Sequence, residues 1–262
     1  MRTSFFKIIT GFVLLFLIYH VAEYMILEKN SAVGFLAVSL LFFIVAWLVS
    51  RWQGRTGFSA WGVCFSKKNG QLFLLGLLAG LIINALMVLT SLAVGMEKIS
   101  FIPLWRDFLT QTSLLVFGTF ISSLTEDILT RGYLFAHLKG RISYVLVIFI
   151  SSLVYVLNHI HRLDEPLYLL YLFIMGIQLV IPLIMTGNIW YTLAVHWAGN
   201  IVYHITNTVM HTEQANSSFS SFWLGIFFVA LLVPINYFIL RFMGFSLKSL
   251  SSAKSRHSSI CI

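Results

Sequence analysis

Three polar clusters interrupt an otherwise apolar chain, and their residue types and spacing suit the activation of water. The first is Glu126-Asp127, with Arg131 four positions after the aspartate. The second is Tyr155-Val156-Leu157-Asn158-His159 and the third is His196-Trp197-Ala198-Gly199-Asn200. On a helix, residues four apart share a face. Asp127 can therefore pair with Arg131, Tyr155 lines up with His159, and His196 with Asn200. Glu126 is turned about 100° from Asp127 and is left for other work. A carboxylate withdrawn from bulk water becomes a stronger base, which suits general-base chemistry. A neutral histidine can hold the water or carry a second proton. A His/Asn pair on a facing helix can donate hydrogen bonds to a developing oxyanion.

The elements that must position these residues are membrane helices. Of 262 residues, 59% are hydrophobic and 10% charged, against about 25% charged in soluble domains. A span needs about 20 mainly apolar residues. Eight segments qualify: Phe5–Ile26, Val33–Val49, Leu72–Val94, Phe108–Leu124 continuing through the charged stretch to His137, Ile142–Leu157, Leu167–Met185, Ile189–Ile205 and Phe222–Phe242. The expected fold is an all-α polytopic membrane protein with about eight transmembrane helices, the polar constellation lying on the fourth, fifth and seventh. Residues 1–262 read as a single integral-membrane domain, with N-terminal helices over 1–95 and a basic cytoplasmic tail over 244–262. Charge in hydrocarbon costs roughly 2.5–3.5 kcal/mol per group on insertion scales. Three charged groups within six positions at Glu126–Arg131 therefore imply a function.

Basic residues set the orientation, because they collect in cytoplasmic loops. With the N-terminus inside, thirteen Lys and Arg fall inside and four outside, the four being Lys29, Lys98, Arg106 and Arg162. Both termini are expected in the cytoplasm. The net charge of +8 belongs to this bias, so no nucleic-acid partner is expected; the bilayer is a partner, and a peptide or membrane-protein substrate is one only by the family resemblance given below. The segment Arg51–Gly70, with Trp52, Phe58, Trp61 and Phe65, reads as either an interfacial surface segment or an ordinary loop. Cys64 and Cys261 make neither a disulfide framework nor a thiolate metal site. His20, His137, His204 and His211 lie near span ends and read as interfacial.

Hairpin arithmetic links the first two clusters. The midpoint of Glu126 and His159 falls between Ile142 and Ser143, at the expected turn of the fourth–fifth hairpin. With equal rise on both helices, the two side chains should reach similar depth. His196 fits less well, being eight residues past Asn188. Its level matches if the fourth–fifth hairpin projects into the cytosol, which Arg131, Lys139 and Arg141 favour, or if the sixth–seventh connection dips into the membrane.

In order and spacing, Glu126-Asp127-x-x-x-Arg131-Gly132, Tyr155-x-x-x-His159 and His196-x-x-x-Asn200 resemble the CPBP family of intramembrane endopeptidases, the CAAX-protease, bacteriocin-processing and abortive-infection group. The likeness covers a core of about 113–204. Glu-Glu is commoner in the family where this chain has Glu126-Asp127, and Phe where it has Tyr155. The resemblance implies that Glu126 activates water with His159 and that His196 and Asn200 stabilise the oxyanion. It leaves Asp127, Arg131 and Tyr155 as site support. It favours a mechanism that requires no cofactor, although Glu126, His159 and His196 would also make a three-ligand zinc site with an open position.

Blander readings exist for each part. Asp127–Arg131 suits a structural ion pair, Glu126 a helix-end acid, His159 an interfacial residue, and His196 with Asn200 interhelical hydrogen bonding. A non-proteolytic CPBP-fold protein, of bacteriocin-immunity or chaperone-like kind, would keep the cluster for binding. A proton-coupled transporter would use Glu126 and the histidines as a relay, but matched broken helices and inverted repeats are missing. Neither His-Glu-x-x-His nor Gly-x-Gly-Asp occurs, which excludes two other intramembrane protease classes.

Overall fold

The computed structural model describes residues 3–160, 164–215 and 221–246. Eight helical rods follow the eight expected segments in order. They are α1 (Phe5–Leu27), α2 (Ala32–Trp52), α3 (Lys67–Ala93), a composite rod, α6 (Tyr144–Leu157), α7 (Pro166–Thr186), α8 (Trp190–His204) and α9 (Ser221–Phe242). The composite fourth rod runs through α4 (Trp105–Asp127), a π-helical stretch (Ile128–Tyr133) and α5 (Leu134–Leu138). Six rods are long and apolar enough to cross a membrane, whereas α6 and α8 have only 14 and 15 residues. The chain is an all-α polytopic integral membrane protein. Beyond the helices, β1 (Glu97–Phe101) and β2 (His211–Gln214) pair antiparallel. They tie the entry of α4 to the exit of α8, a contact between segments too short to signal itself in sequence.

Local chemistry explains the rod ends. Ser31, Ser66 and Ser143 cap α2, α3 and α6, each hydroxyl accepting from the amide three residues on. Pro166 opens α7, and Gly187 closes it with φ 69°. Gly76 and Gly80 bring α3 flush against α8. A Cβ at Gly76 would lie 2.6 Å from the Tyr191 carbonyl oxygen, and one at Gly80 2.6 Å from Ala198 Cβ. Such Gly-x-x-x-Gly spacing lets helix backbones approach closely.

The segment after α2 is neither a surface strip nor an ordinary loop, because Trp61 anchors it in the core. A 3-10 turn, Gly57–Trp61, carries Trp61 at 0% exposure. Its ring lies 4.9 Å from Tyr133 and its Nε1 donates to the Ala46 carbonyl at 3.0 Å. The Gly62 carbonyl accepts from the Ile189 amide at 3.0 Å, so this turn covers the α7–α8 connection. Asn188 and Ile189 are buried as a result. This buried connection leads directly into α8, which carries His196. His137 is likewise buried within the protein, its Nδ1 against the Tyr133 carbonyl and its Nε2 against Gln53 Oε1 at 2.9 Å. Cys261, Arg2, Arg162 and residues 247–262 of the expected tail lie outside the described residues.

Gly132 touches this cover directly: a Cβ there would lie 2.4 Å from the Trp61 carbonyl oxygen. Gly132→Ala must displace one of two packed backbones. It should cost about 1–3 kcal/mol, seen as a lowered Tm in detergent or nanodiscs; an unchanged Tm would contradict this contact.

Candidate active site

Glu126 ends the α-helical part of the fourth rod, where the π-helical stretch begins. In a π turn the amide pairing shifts, and nearby hydroxyls take up carbonyls. Thr130 Oγ1 donates to the Glu126 carbonyl and Ser151 Oγ to the Thr130 carbonyl, both at 2.7 Å. The second bond fastens α6 to the stretch. π-Bulges of this kind are frequent at functional sites.

Glu126 is 4% exposed. Asn158 Nδ2 donates to its Oε1 at 3.3 Å, and His196 Nε2 lies 3.6 Å from its Oε2. Asp127 is fully buried and Arg131 Nη1 donates to its Oδ1, so the expected ion pair is present although the intervening residues are π-helical. The same Oδ1 accepts from His196 Nδ1 at 3.1 Å. A carboxylate only accepts at neutral pH, so His196 carries hydrogen on Nδ1 and turns Nε2 towards Glu126. Asp127 thus orients a catalytic candidate as well as pairing with Arg131.

His159 lies in the turn just past α6, its Nδ1 donating to the Tyr155 carbonyl at 3.0 Å. That bond leaves Nε2 as the acceptor nitrogen of the neutral ring. Tyr155 stands between the two histidines, its ring 5.1 Å from His159 and 6.0 Å from His196, both edge-on. The Arg131 guanidinium packs 4.5 Å over the Tyr155 ring. Tyr155 Oη reaches only Met175 Sδ, at 3.4 Å, a weak bond. Tyr155→Phe should therefore change stability by less than about 1 kcal/mol and preserve both histidine positions, checked by Tm and any activity assay. On α8, Asn200 Nδ2 donates to Ser123 Oγ at 3.0 Å, which holds its amide beside the fourth rod.

Glu126, His159, His196 and Asn200 all line one cavity of about 420 Å³. Asp127 and Arg131 lie behind its wall. The nearest polar partners of Glu126 are Asn158 and His196, while His159 shares the cavity with it. Two residues escaped the sequence reading. Asn158, which donates to Glu126 from behind the cavity, was overshadowed by its neighbour His159. Glu23 of α1 accepts from Tyr19 Oη at 2.9 Å and faces the same space; an acid inside an apolar span was the signal. Among the described residues, no group of three or more His, Cys, Asp and Glu has an arrangement that could hold a metal ion. Glu126, His159 and His196 do not fit the three-ligand zinc set.

Residues 108–202 match the family model for the type II CAAX prenyl endopeptidases, Rce1-like. The match contains every residue of the cavity's catalytic candidates. Neither a curated protein nor a solved structure matches the chain. The match over residues 108–202 supports the resemblance of this part of the chain to the CPBP family of CAAX-type intramembrane proteases.

Proposed function

We propose that the chain is an endopeptidase that hydrolyses a peptide bond inside the membrane, with Glu126 as general base. The observation that carries the reading is the meeting of Glu126, His159, His196 and Asn200 on one cavity. Water bound between Glu126 and His159 gives a proton to the carboxylate as its oxygen attacks the scissile carbonyl. His196 faces the oxyanion, its ring oriented by the Nδ1 hydrogen bond to Asp127. Asn200, one turn further along α8, offers an amide donor. The proton held by Glu126 then passes to the leaving amine. No step requires a metal. Arg131 holds the Asp127 charge, and through it the direction of the His196 ring. Both termini lie in the cytoplasm in this reading, as the distribution of basic residues implies.

The test uses purified protein in liposomes, incubated with synthetic membrane-segment peptides, with products identified by mass spectrometry. Cleavage by wild type that is lost in Glu126→Gln is the expected result. Cleavage that persists in the variant, or that stops in wild type on chelation and returns with zinc, would overturn the mechanism.

A further inference from the structure

The charges are sorted along the rods. One end carries Arg51, Arg55, Lys67, Lys139, Arg141 and Arg241 and, among the described residues, no Asp or Glu. The opposite end carries Glu28, Glu97, Asp107, Asp164, Glu165 and Glu213 against three described basic residues. Basic residues mark the cytoplasmic side, so the two ends have assigned compartments.

The cavity is as asymmetric as the charges. From Glu126 and His196 it runs past Asn200 and His204 to Glu97, Asn207 and Phe222, all at the acidic end. Among the described residues, no Lys or Arg lines it. Towards the basic end the site is stoppered. Trp61 and Ile189 are both at 0% exposure, Tyr133 is at 1%, and the Gly62–Ile189 hydrogen bond closes the gap between two loops. Gly132 leaves no room between the fourth rod and this stopper.

We infer that the cavity opens to the non-cytoplasmic side and receives substrate from there. Resting on the protease reading, this makes the substrate a membrane-anchored peptide whose cleavable part lies at the outer leaflet. A cytosolic chain terminus, prenylated or not, would meet the stopper.

The experiment places single cysteines in the full chain at Asn207 (mouth), Ser122 (cavity wall, one turn before Glu126) and Lys67 (basic end). Cells expressing each variant are treated with a membrane-impermeant, positively charged methanethiosulfonate before or after permeabilisation. Modification is mapped to the introduced residue by mass spectrometry. Asn207→Cys and Ser122→Cys should react in intact cells, and Lys67→Cys only after permeabilisation. The reverse pattern would overturn the orientation. Reaction of Asn207→Cys but not Ser122→Cys in intact cells would overturn the open path to the site. Glu213→Cys reports on the same end should Asn207→Cys not accumulate. The readout needs no catalysis, so loss of the protease reading would leave it decisive.

Discussion

Glu126→Gln should lower peptide cleavage about 10²–10⁴-fold, the usual contribution of a positioned general base, while the protein keeps its fold. The surroundings of the carboxylate separate the two effects. Glutamine retains an oxygen to accept from Asn158 Nδ2, now 3.3 Å from Glu126 Oε1. Its amide nitrogen would stand where Oε2 lies 3.6 Å from His196 Nε2 and can donate to that nitrogen. Size, burial and two polar contacts survive, and only basicity is removed. Rates measured on reconstituted protein, beside Tm from the same preparation, give both quantities. Wild-type turnover in the variant would remove Glu126 from the mechanism; a collapsed Tm would show a structural role instead.

Asp127→Ala should be costly in a different way. Arg131 is at 0% exposure, and its Nε and Nη2 have no hydrogen-bond partner. Asp127 is its ion-pair partner. Removing one member of a buried pair costs about 3–5 kcal/mol, because a charge is left without compensation. That is comparable with the whole stability of many proteins. A double change, Asp127→Ala with Arg131→Met, removes both charges and should recover much of the loss, since apolar replacement of a buried pair is often close to neutral. Activity should not recover with it, because His196 Nδ1 has lost its acceptor at 3.1 Å. Full activity in a stable double variant would make Asp127 purely structural.

The sequence reading was strongest where periodicity and composition decide the outcome. All eight rods were legible because each apolar run has no competing soluble reading. The three clusters were legible because charge and amide groups are rare in such runs. Equal rise on two antiparallel helices brought Glu126 and His159 to the same cavity. It did not identify the nearest neighbours of Glu126, because Asn158 and His196 depend on helix rotation. That rotation is set by the π-helical Ile128–Tyr133 and by the hydroxyl of Ser151, neither of which leaves a periodic trace. The burial of the α7–α8 connection ahead of His196 rests on Gly62 bonding to Ile189, a contact 127 positions apart. Local spacing cannot report such a bond. Gly76-x-x-x-Gly80 could have been read, and would have placed α3 against α8.

The short α6 has a further consequence. At 1.5 Å per residue it extends about 21 Å, against about 30 Å of hydrocarbon, whereas α8 runs on into a π-helical turn, Ile205–Val209. It is the rod that leads to His159. Where short helices meet lipid, the bilayer thins or the polar helix ends sink into it, at a modest cost per ångström of mismatch. A substrate helix passing this thin zone needs to lose fewer of its own backbone hydrogen bonds before a peptide bond is bare. On the protease reading, acyl-chain length thereby becomes a control on turnover: thinner bilayers relieve the mismatch, and thicker ones press the surrounding lipid against the mouth.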